Sequence, residues 1–169
     1  MELVERFDKK RLPLNKTVER YEPAFGEYEQ VTHLWVINDK GEFLMQKRSM
    51  NKRIYPGKWS VTGGAVDAGE SSIDGMYREC KEEIGIDLNP DKVELMMTIK
   101  RRHVFVDIYL DRENFDVEDL KLQKEEVDKV EWLSRENVQE LINKGETANS
   151  ITKYFNLLCD LIDEASLEI

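Results

Sequence analysis

Acidic residues with regular spacing lie between positions 63 and 86, in the stretch GGAVDAGESSIDGMYRECKEEIGI. On a helix, Glu79 would neighbour both Glu82 and Glu83, because side chains three and four positions apart lie side by side. Three carboxylates this close repel one another unless a cation lies between them. Oxygen ligands favour hard ions such as Mg²⁺ or Mn²⁺, and Mg²⁺ usually takes a few carboxylates plus substrate phosphates and water. The spacing therefore indicates a metal site for phosphate chemistry.

Helix signals surround these glutamates. Ser71 or Ser72 can cap the first turn, and Gly85 is a natural stop. Apolar residues recur at roughly helical spacing and would form one buried face: Ile73, Met76, Tyr77, Cys80 and Ile84. We expect the glutamates to lie largely off that face.

On these residues the stretch resembles the signature of Nudix hydrolases. That signature is a glycine, five residues, a glutamate, seven residues, then Arg-Glu-aliphatic-any-Glu-Glu-any-Gly-aliphatic. The matching positions are Gly64, Glu70, Arg78, Glu79, Glu82, Glu83, Gly85 and Ile86. Cys80 departs from the usual aliphatic residue, although cysteine can act as a small hydrophobe. A solvated acidic face is the alternative, and the joint match of glycines, arginine and glutamates weighs against it.

The resemblance implies the fold and the cofactor. The fold would be an α/β/α sandwich with a central mixed sheet, in one domain spanning 1–169, with the box at 64–86. Residues 1–28 would be an N-terminal extension packed on that domain. The cofactor would be Mg²⁺, with Mn²⁺ as a substitute, and the reaction would be hydrolysis of a pyrophosphate bond.

The resemblance also assigns roles within the box. Glu79 and Glu83 would bind the metal, Glu82 would be a further ligand, and the Gly63 carbonyl would contribute an oxygen. As part of the catalytic set, Arg78 would pair with Glu70 or Glu79 and hold that carboxylate in place.

Two further sets of residues lie outside the box. Family members take the general base either from the box or from a loop beyond the sheet, and Glu126, next to Glu125, is our candidate; a plain surface role is the alternative. The basic residues that flank the box in sequence could hold substrate phosphates or simply face solvent. They are Lys47, Arg48, Arg53 and Lys58.

Composition narrows the function classes. The net charge of −10 and the pI near 4.8 argue against a DNA-binding or anionic-membrane surface. An acidic enzyme can still bind small anionic substrates, because a metal supplies local positive charge. No apolar run reaches the length of a membrane span, and the start lacks a secretory signal, so we expect a cytoplasmic protein. The sequence leaves a homodimer open.

Periodicity predicts the remaining elements. Strands are expected at 2–8, 11–20, 29–37, 42–48, 59–62, 92–100, 102–111 and 127–133. Ser134 should cap a helix that Gly145 ends, and residues 150–164 should form a last helix. Strands on both sides of a helix predict an α/β fold with a mixed sheet between helices.

Two rival functions stay open beside a hydrolase. The flanks also resemble isopentenyl-diphosphate isomerases, but Gly63 stands where that pattern has its catalytic cysteine, and Ala65 and Glu29 stand where it has metal-binding histidines. The second rival is a non-catalytic module that binds nucleotides. Within the hydrolases, the substrate would be a nucleoside diphosphate linked to another moiety, or a nucleoside triphosphate. Trp35, Trp59 and Tyr55 could stack a base, although aromatic residues in or near strands are more often core.

Overall fold

The computed structural model describes residues 2–167 of this chain. Its backbone forms two compact units, Met1–Trp35 with Thr62–Asp111, and Val36–Val61 with Arg112–Ile169. The strands are β1 (Leu3–Phe7), β2 (Pro13–Glu19), β3 (Glu29–Ile37), β4 (Phe43–Arg48), β5 (Trp59–Ser60), β6 (Glu94–Lys100), β7 (Val104–Arg112) and β8 (Val127–Leu133). The helices are α1 (Ser72–Ile84), α2 (Arg135–Asn143), α3 (Asn149–Thr152) and α4 (Phe155–Ala165), and short 3₁₀ turns lie at Pro90–Lys92 and Val117–Asp119.

The first unit is built on β3. Strands β3, β7 and β6 lie side by side, and β6 and β7 are antiparallel. Strands β1 and β2 form a separate antiparallel hairpin, which joins the start of β3 through reciprocal backbone hydrogen bonds between Phe7 and Tyr28. Pro13 begins β2 in this two-stranded sheet, which fits a residue that cannot donate a ladder hydrogen bond.

The second unit is built on β4. This strand pairs antiparallel with the end of β3, with β5 and with β8. The Phe43 ring on β4 meets the Phe155 ring of α4 edge to face, with centroids 5.6 Å apart. Trp59, one of the aromatic residues that could have stacked a base, is buried here, and Trp35 is buried in the first unit.

The α/β fold with a central mixed sheet is confirmed, and β3 and β8 have the predicted bounds. The single last helix expected at 150–164 is wrong, because α3 and α4 are separated at Lys153 and Tyr154. Tyr154 and Phe155 are both almost fully buried. Neighbouring positions on a helix point about 100° apart, so a break allows two adjacent aromatic side chains to enter the core. Among the described residues, no helix is long and apolar enough to cross a bilayer.

A buried carboxylate on β7 binds the turn of the N-terminal hairpin within the first unit. Asp107 on β7 is 1% exposed. Arg11 Nη1 donates to its Oδ1 at 2.8 Å, the Arg11 Nη2 and Ser72 hydroxyl donate to its Oδ2, and Thr98 Oγ1 donates to Oδ1 at 2.6 Å. Burial would raise the pKa of Asp107, but the hydrogen bonds from Arg11, Ser72 and Thr98 outweigh it and hold the pKa below its ordinary value.

Replacing this carboxylate should destabilise the first unit. We expect Asp107→Asn to lower the free energy of unfolding by about 2 to 4 kcal/mol, because Arg11 loses its ionic partner. The contribution of a carboxyl with a lowered pKa is present at neutral pH and is lost as pH falls through the folded-state pKa. Urea unfolding should therefore show a difference between wild type and variant that is constant near neutrality and shrinks below about pH 4. A pH-independent difference would contradict this, and Glu94→Gln, at an exposed position on β6, is the control.

Candidate active site

Helix α1 has the predicted ends. The Ser71 hydroxyl accepts a hydrogen bond from the Asp74 N–H at 3.3 Å, and Gly85, with φ +74°, closes the helix through its N–H to the Lys81 carbonyl at 3.1 Å. Glycine suits this left-handed C-terminal position because it has no Cβ.

The expectation that the glutamates lie off the buried face is wrong for Glu83. This residue is 3% exposed. It follows Cys80 by three positions and precedes Ile84, so it lies on the same stripe that buries these apolar side chains. One carboxylate of the box is therefore inside the first unit, while Glu82 on the adjoining face is about half exposed.

A turn formed by Gly63 and Gly64, here called the glycine turn, faces α1. Gly63 has φ +148°, and a Cβ there would lie 2.0 Å from the carbonyl oxygen of Thr32. A Cβ on Gly64 would lie 2.4 Å from Glu79 Oε1. The Gly63 N–H donates to Glu83 Oε2 at 3.2 Å. The turn thus brings the carboxylates of Glu79 and Glu83 to one stretch of backbone.

Arg78 is the cation that lies among these carboxylates. Its Nε and Nη2 donate to the two oxygens of Glu70 at 2.9 and 3.1 Å. Its Nη1 donates to Glu79 at 2.9 Å and to Glu82 at 3.3 Å. Nη2 also donates to the Ala65 carbonyl at 3.0 Å. Arg78 therefore contacts both of its expected partners, and it connects α1 to the loop before it.

The electrostatics of the site follow from burial and from this arginine. Burial raises the pKa of the Glu79 carboxyl above its ordinary value, although the hydrogen bond and charge of Arg78 oppose that effect. Burial would lower the pKa of Arg78, but its bonds to Glu70 and Glu79 raise it overall, so the guanidinium stays charged. Burial also raises the pKa of the Cys80 thiol to about 12, which makes this cysteine a packing residue rather than a nucleophile.

The donor atoms match a hard divalent cation by type. Glu79, Glu82 and Glu83 offer only oxygen, the ligand atom that Mg²⁺ prefers. Within residues 2–167, however, no group of three or more His, Cys, Asp or Glu side chains is arranged to hold a metal ion. The reason is visible in the contacts, since Arg78 holds Glu79 and Glu82, and Glu83 faces the Gly63 N–H. A bound cation would have to take carboxylate oxygens from Arg78.

The other predicted site residues lie in the second unit. Arg48 Nε donates to the Ile54 carbonyl at 3.1 Å, and Lys58 Nζ donates to the Gly145 carbonyl at 2.7 Å. Lys47 lies within β4 and Arg53 is exposed in the loop that follows. Glu126 forms an ion pair with Lys52, and its carbonyl accepts from the Ser49 N–H at 2.9 Å.

Sequence reasoning missed two contacts of these residues. Lys52, the partner of Glu126, lies in the run SMNKR. Its charge alone did not single it out from Arg53 as the partner of an acidic residue. Asp67 approaches Arg78 Nε at 3.7 Å. Its place in the box loop, two residues after Ala65, was the one feature of the sequence that could have suggested this contact.

The two glycines of the turn should respond differently to alanine. Gly63→Ala should lower the free energy of unfolding by about 2 kcal/mol or more, because the new methyl group meets rigid backbone. Gly64→Ala should cost about 1 kcal/mol or less, because the methyl group meets only the flexible end of Glu79.

Because the new methyl group of Gly64→Ala displaces Glu79, this variant should instead lower the rate of pyrophosphate hydrolysis, by about 100-fold for a shift near 1 Å. Urea unfolding and steady-state kinetics on both variants check this pair of predictions. A Gly64→Ala protein with the wild-type rate would show that the position of Glu79 is not needed.

Comparison with known proteins identifies the family. The model of the NUDIX domain matches residues 28–155. A Nudix hydrolase of Listeria innocua is 32% identical over 124 residues, 73% of this chain and 73% of that protein. An isopentenyl-diphosphate Delta-isomerase of Shigella flexneri is 34% identical over 79 residues, 44% of this chain and 42% of that protein.

Solved structures share the fold. The crystal structure of DR0079 from Deinococcus radiodurans has a TM-score of 0.79 and 19% identity, and covers 95% of this chain and 99% of that one. The NUDIX domain of Shewanella oneidensis NrtR, solved with ADP ribose, has a TM-score of 0.63 and 18% identity, and covers 86% of this chain and 94% of that one. On the family match and the Listeria relative, with the box complete in sequence, this chain belongs to the NUDIX domain family and is a Nudix pyrophosphohydrolase.

Proposed function

We propose that this protein hydrolyses, with Mg²⁺, a pyrophosphate bond in a nucleoside diphosphate linked to another moiety or in a nucleoside triphosphate. The observation that carries the proposal is the convergence of Glu79 and Glu83 on one glycine turn, with Glu79 directly over Gly64. Two carboxylates beside bare backbone leave an approach for an ion and for phosphate oxygens.

The residues of the box have different proposed roles. A bound Mg²⁺ would supply positive charge to the phosphate oxygens and would favour activation of the attacking water. Glu79 and Glu83 would hold it, with Glu82 and the Gly63 carbonyl as further ligands. Arg78 fixes the orientation of Glu79 and stays protonated, so it holds that carboxylate in place without exchanging protons.

The remaining roles are assigned to the second unit. Glu126 would act as the general base that takes a proton from the attacking water. It is partly exposed and already has a cationic neighbour, Lys52, that can balance its charge. Arg48, Arg53 and Lys58, with Lys47, would bind substrate phosphates through charged hydrogen bonds.

Similarity to a nucleotide-binding NUDIX domain supports a nucleotide substrate. The Shewanella NUDIX domain was solved with ADP ribose, a nucleoside diphosphate linked to a second sugar. At 18% identity that likeness concerns the fold, so the substrate class is an inference from the family and from the site.

Isomerase activity is the alternative that the Shigella relative suggests, and the glycine turn argues against it. The isomerase pattern requires a cysteine at the position of Gly63. Gly63 has no side chain to act as that nucleophile, and a Cβ added to this backbone would lie 2.0 Å from Thr32 O, with φ at +148°. The turn is therefore shaped for glycine, which supports hydrolysis over isomerisation.

Removing either ligand carboxylate should abolish most metal-dependent turnover. We expect Glu79→Gln and Glu83→Gln each to lower kcat by about 100-fold or more, because a neutral amide binds Mg²⁺ weakly. Activity is measured on nucleoside diphosphate derivatives and nucleoside triphosphates with and without Mg²⁺, and Mn²⁺ binding is followed by electron paramagnetic resonance.

Asp87→Asn is the matched control, since Asp87 is exposed just past the end of the same helix. Full activity in both glutamine variants would refute the ligand assignment. If the wild-type protein bound Mn²⁺ and nucleotides but released no product from any compound, the non-catalytic binding module would be the better description.

The general base can be tested against its neighbour. We expect Glu126→Gln to lower kcat by about 100-fold, with little change in Mn²⁺ binding, because a neutral amide cannot take the proton from the attacking water. Glu125→Gln, one position earlier and exposed, should behave as wild type. Equal effects of the two substitutions would mean that Glu126 contributes only surface charge.

A further inference from the structure

The N-terminal segment builds a cavity in the first unit. The cavity measures about 320 Å³ and is lined by Arg6, Tyr21, the loop at 22–24, Phe25, Glu29 and His103. All of these residues except Glu29 and His103 precede the region that the NUDIX model matches, residues 28–155. A volume near 300 Å³ is at the lower end of small-molecule sites. The cavity is therefore lined mostly by residues outside the region that the family model matches.

Two aromatic rings line this cavity. Phe25 is 91% exposed and Tyr21 is 45% exposed. The Arg20 guanidinium lies 5.0 Å from the centre of the Tyr21 ring. The two exposed rings thus share one concave surface instead of being scattered singly over the protein. A planar group that enters the cavity can stack on Phe25.

A buried arginine supplies the polar side of the cavity. Arg6 is 2% exposed; its Nη2 donates to the Glu22 carbonyl at 2.8 Å and its Nη1 to Glu29 Oε2 at 3.5 Å. Its Nε lies 4.0 Å from the Glu27 carboxylate. The Arg6 guanidinium donates hydrogen bonds and the Glu29 carboxylate accepts them, and both side chains line the cavity. Together this donor and this acceptor match the mixed edge of a nucleobase.

Strand β3 connects the cavity to the glycine turn. Glu29 lines the cavity, and three residues later the Thr32 N–H donates to the Gly64 carbonyl at 2.9 Å. Three residues of strand span about 10 Å. Gln30, between these two positions, accepts at its carbonyl from the Val66 N–H at 3.0 Å, so the strand and the box loop are in register. A sugar and phosphate linker can bridge this distance.

We propose that this cavity binds the nucleobase of the substrate while the diphosphate lies at the box. Phe25 stacks on the base, and Arg6 and Glu29 form hydrogen bonds with its polar edge. This proposal rests on the proposed function for the position of the diphosphate. It assigns substrate selection to the N-terminal segment rather than to the box.

The test compares substrates with and without a base. The four nucleoside 5′-triphosphates and methyl triphosphate are assayed with the wild-type protein, Phe25→Ala, Phe25→Trp and the control Leu12→Ala. Phe25→Ala should raise KM for at least one nucleoside triphosphate by about tenfold, as expected for loss of one stacking partner. KM for methyl triphosphate should stay unchanged. Phe25→Trp should keep the wild-type KM, and Leu12→Ala, which removes another exposed apolar side chain from the same segment, should have no effect.

Binding of nucleoside 5′-monophosphates, followed by NMR, separates this proposal from the proposed function. If neither nucleoside triphosphates nor nucleoside diphosphate derivatives are hydrolysed, but a monophosphate binds and Phe25→Ala weakens that binding tenfold, the cavity proposal stands and the proposed function falls. If triphosphates are hydrolysed and Phe25→Ala changes neither KM nor monophosphate binding, the cavity proposal is overturned. Absence of monophosphate binding in the wild-type protein also overturns it.

Discussion

The charge of Arg78 is the constraint on which the first unit depends. One guanidinium donates to Glu70, Glu79 and Glu82 at distances of 2.9 to 3.3 Å, and to a loop carbonyl at 3.0 Å. Without it, glutamates crowded on one helix and the loop before it would repel one another. The same carboxylates are the oxygens that a metal would need. A metal ion bound at the proposed site would therefore compete with Arg78 for one set of atoms.

The glycine turn has its own requirement, which comes from β3. Gly63 has no space for a Cβ because Thr32 backbone fills it, whereas Gly64 has its space filled by Glu79. The first glycine allows a loop to pack against a strand, and the second leaves room for a carboxylate. Two glycines that look equivalent in the sequence thus meet different neighbours, one backbone and one side chain.

Local patterns predicted local structure well and distant contacts poorly. The bounds of β3, the Ser71 cap and the Gly85 stop follow from neighbouring residues, so the sequence was sufficient. The burial of Glu83 could also have been predicted from its spacing after Cys80, but its negative charge favoured a prediction of exposure. The contacts of Arg6 with Glu29 and of Arg11 with Asp107 join residues 23 and 96 positions apart, and no spacing rule could reveal them.

The N-terminal segment is attached to the rest of the first unit by contacts that do not involve residues 21–25. The Ala68 N–H, inside the box loop, donates to the Leu3 carbonyl at 2.8 Å, and Arg11 binds buried Asp107. These anchors hold β1 and the turn between β1 and β2, and the loop that carries Phe25 follows the hairpin in sequence. If the cavity binds the base as proposed, the residues that select the group attached to the diphosphate would therefore differ from those that fix the hairpin to the box loop.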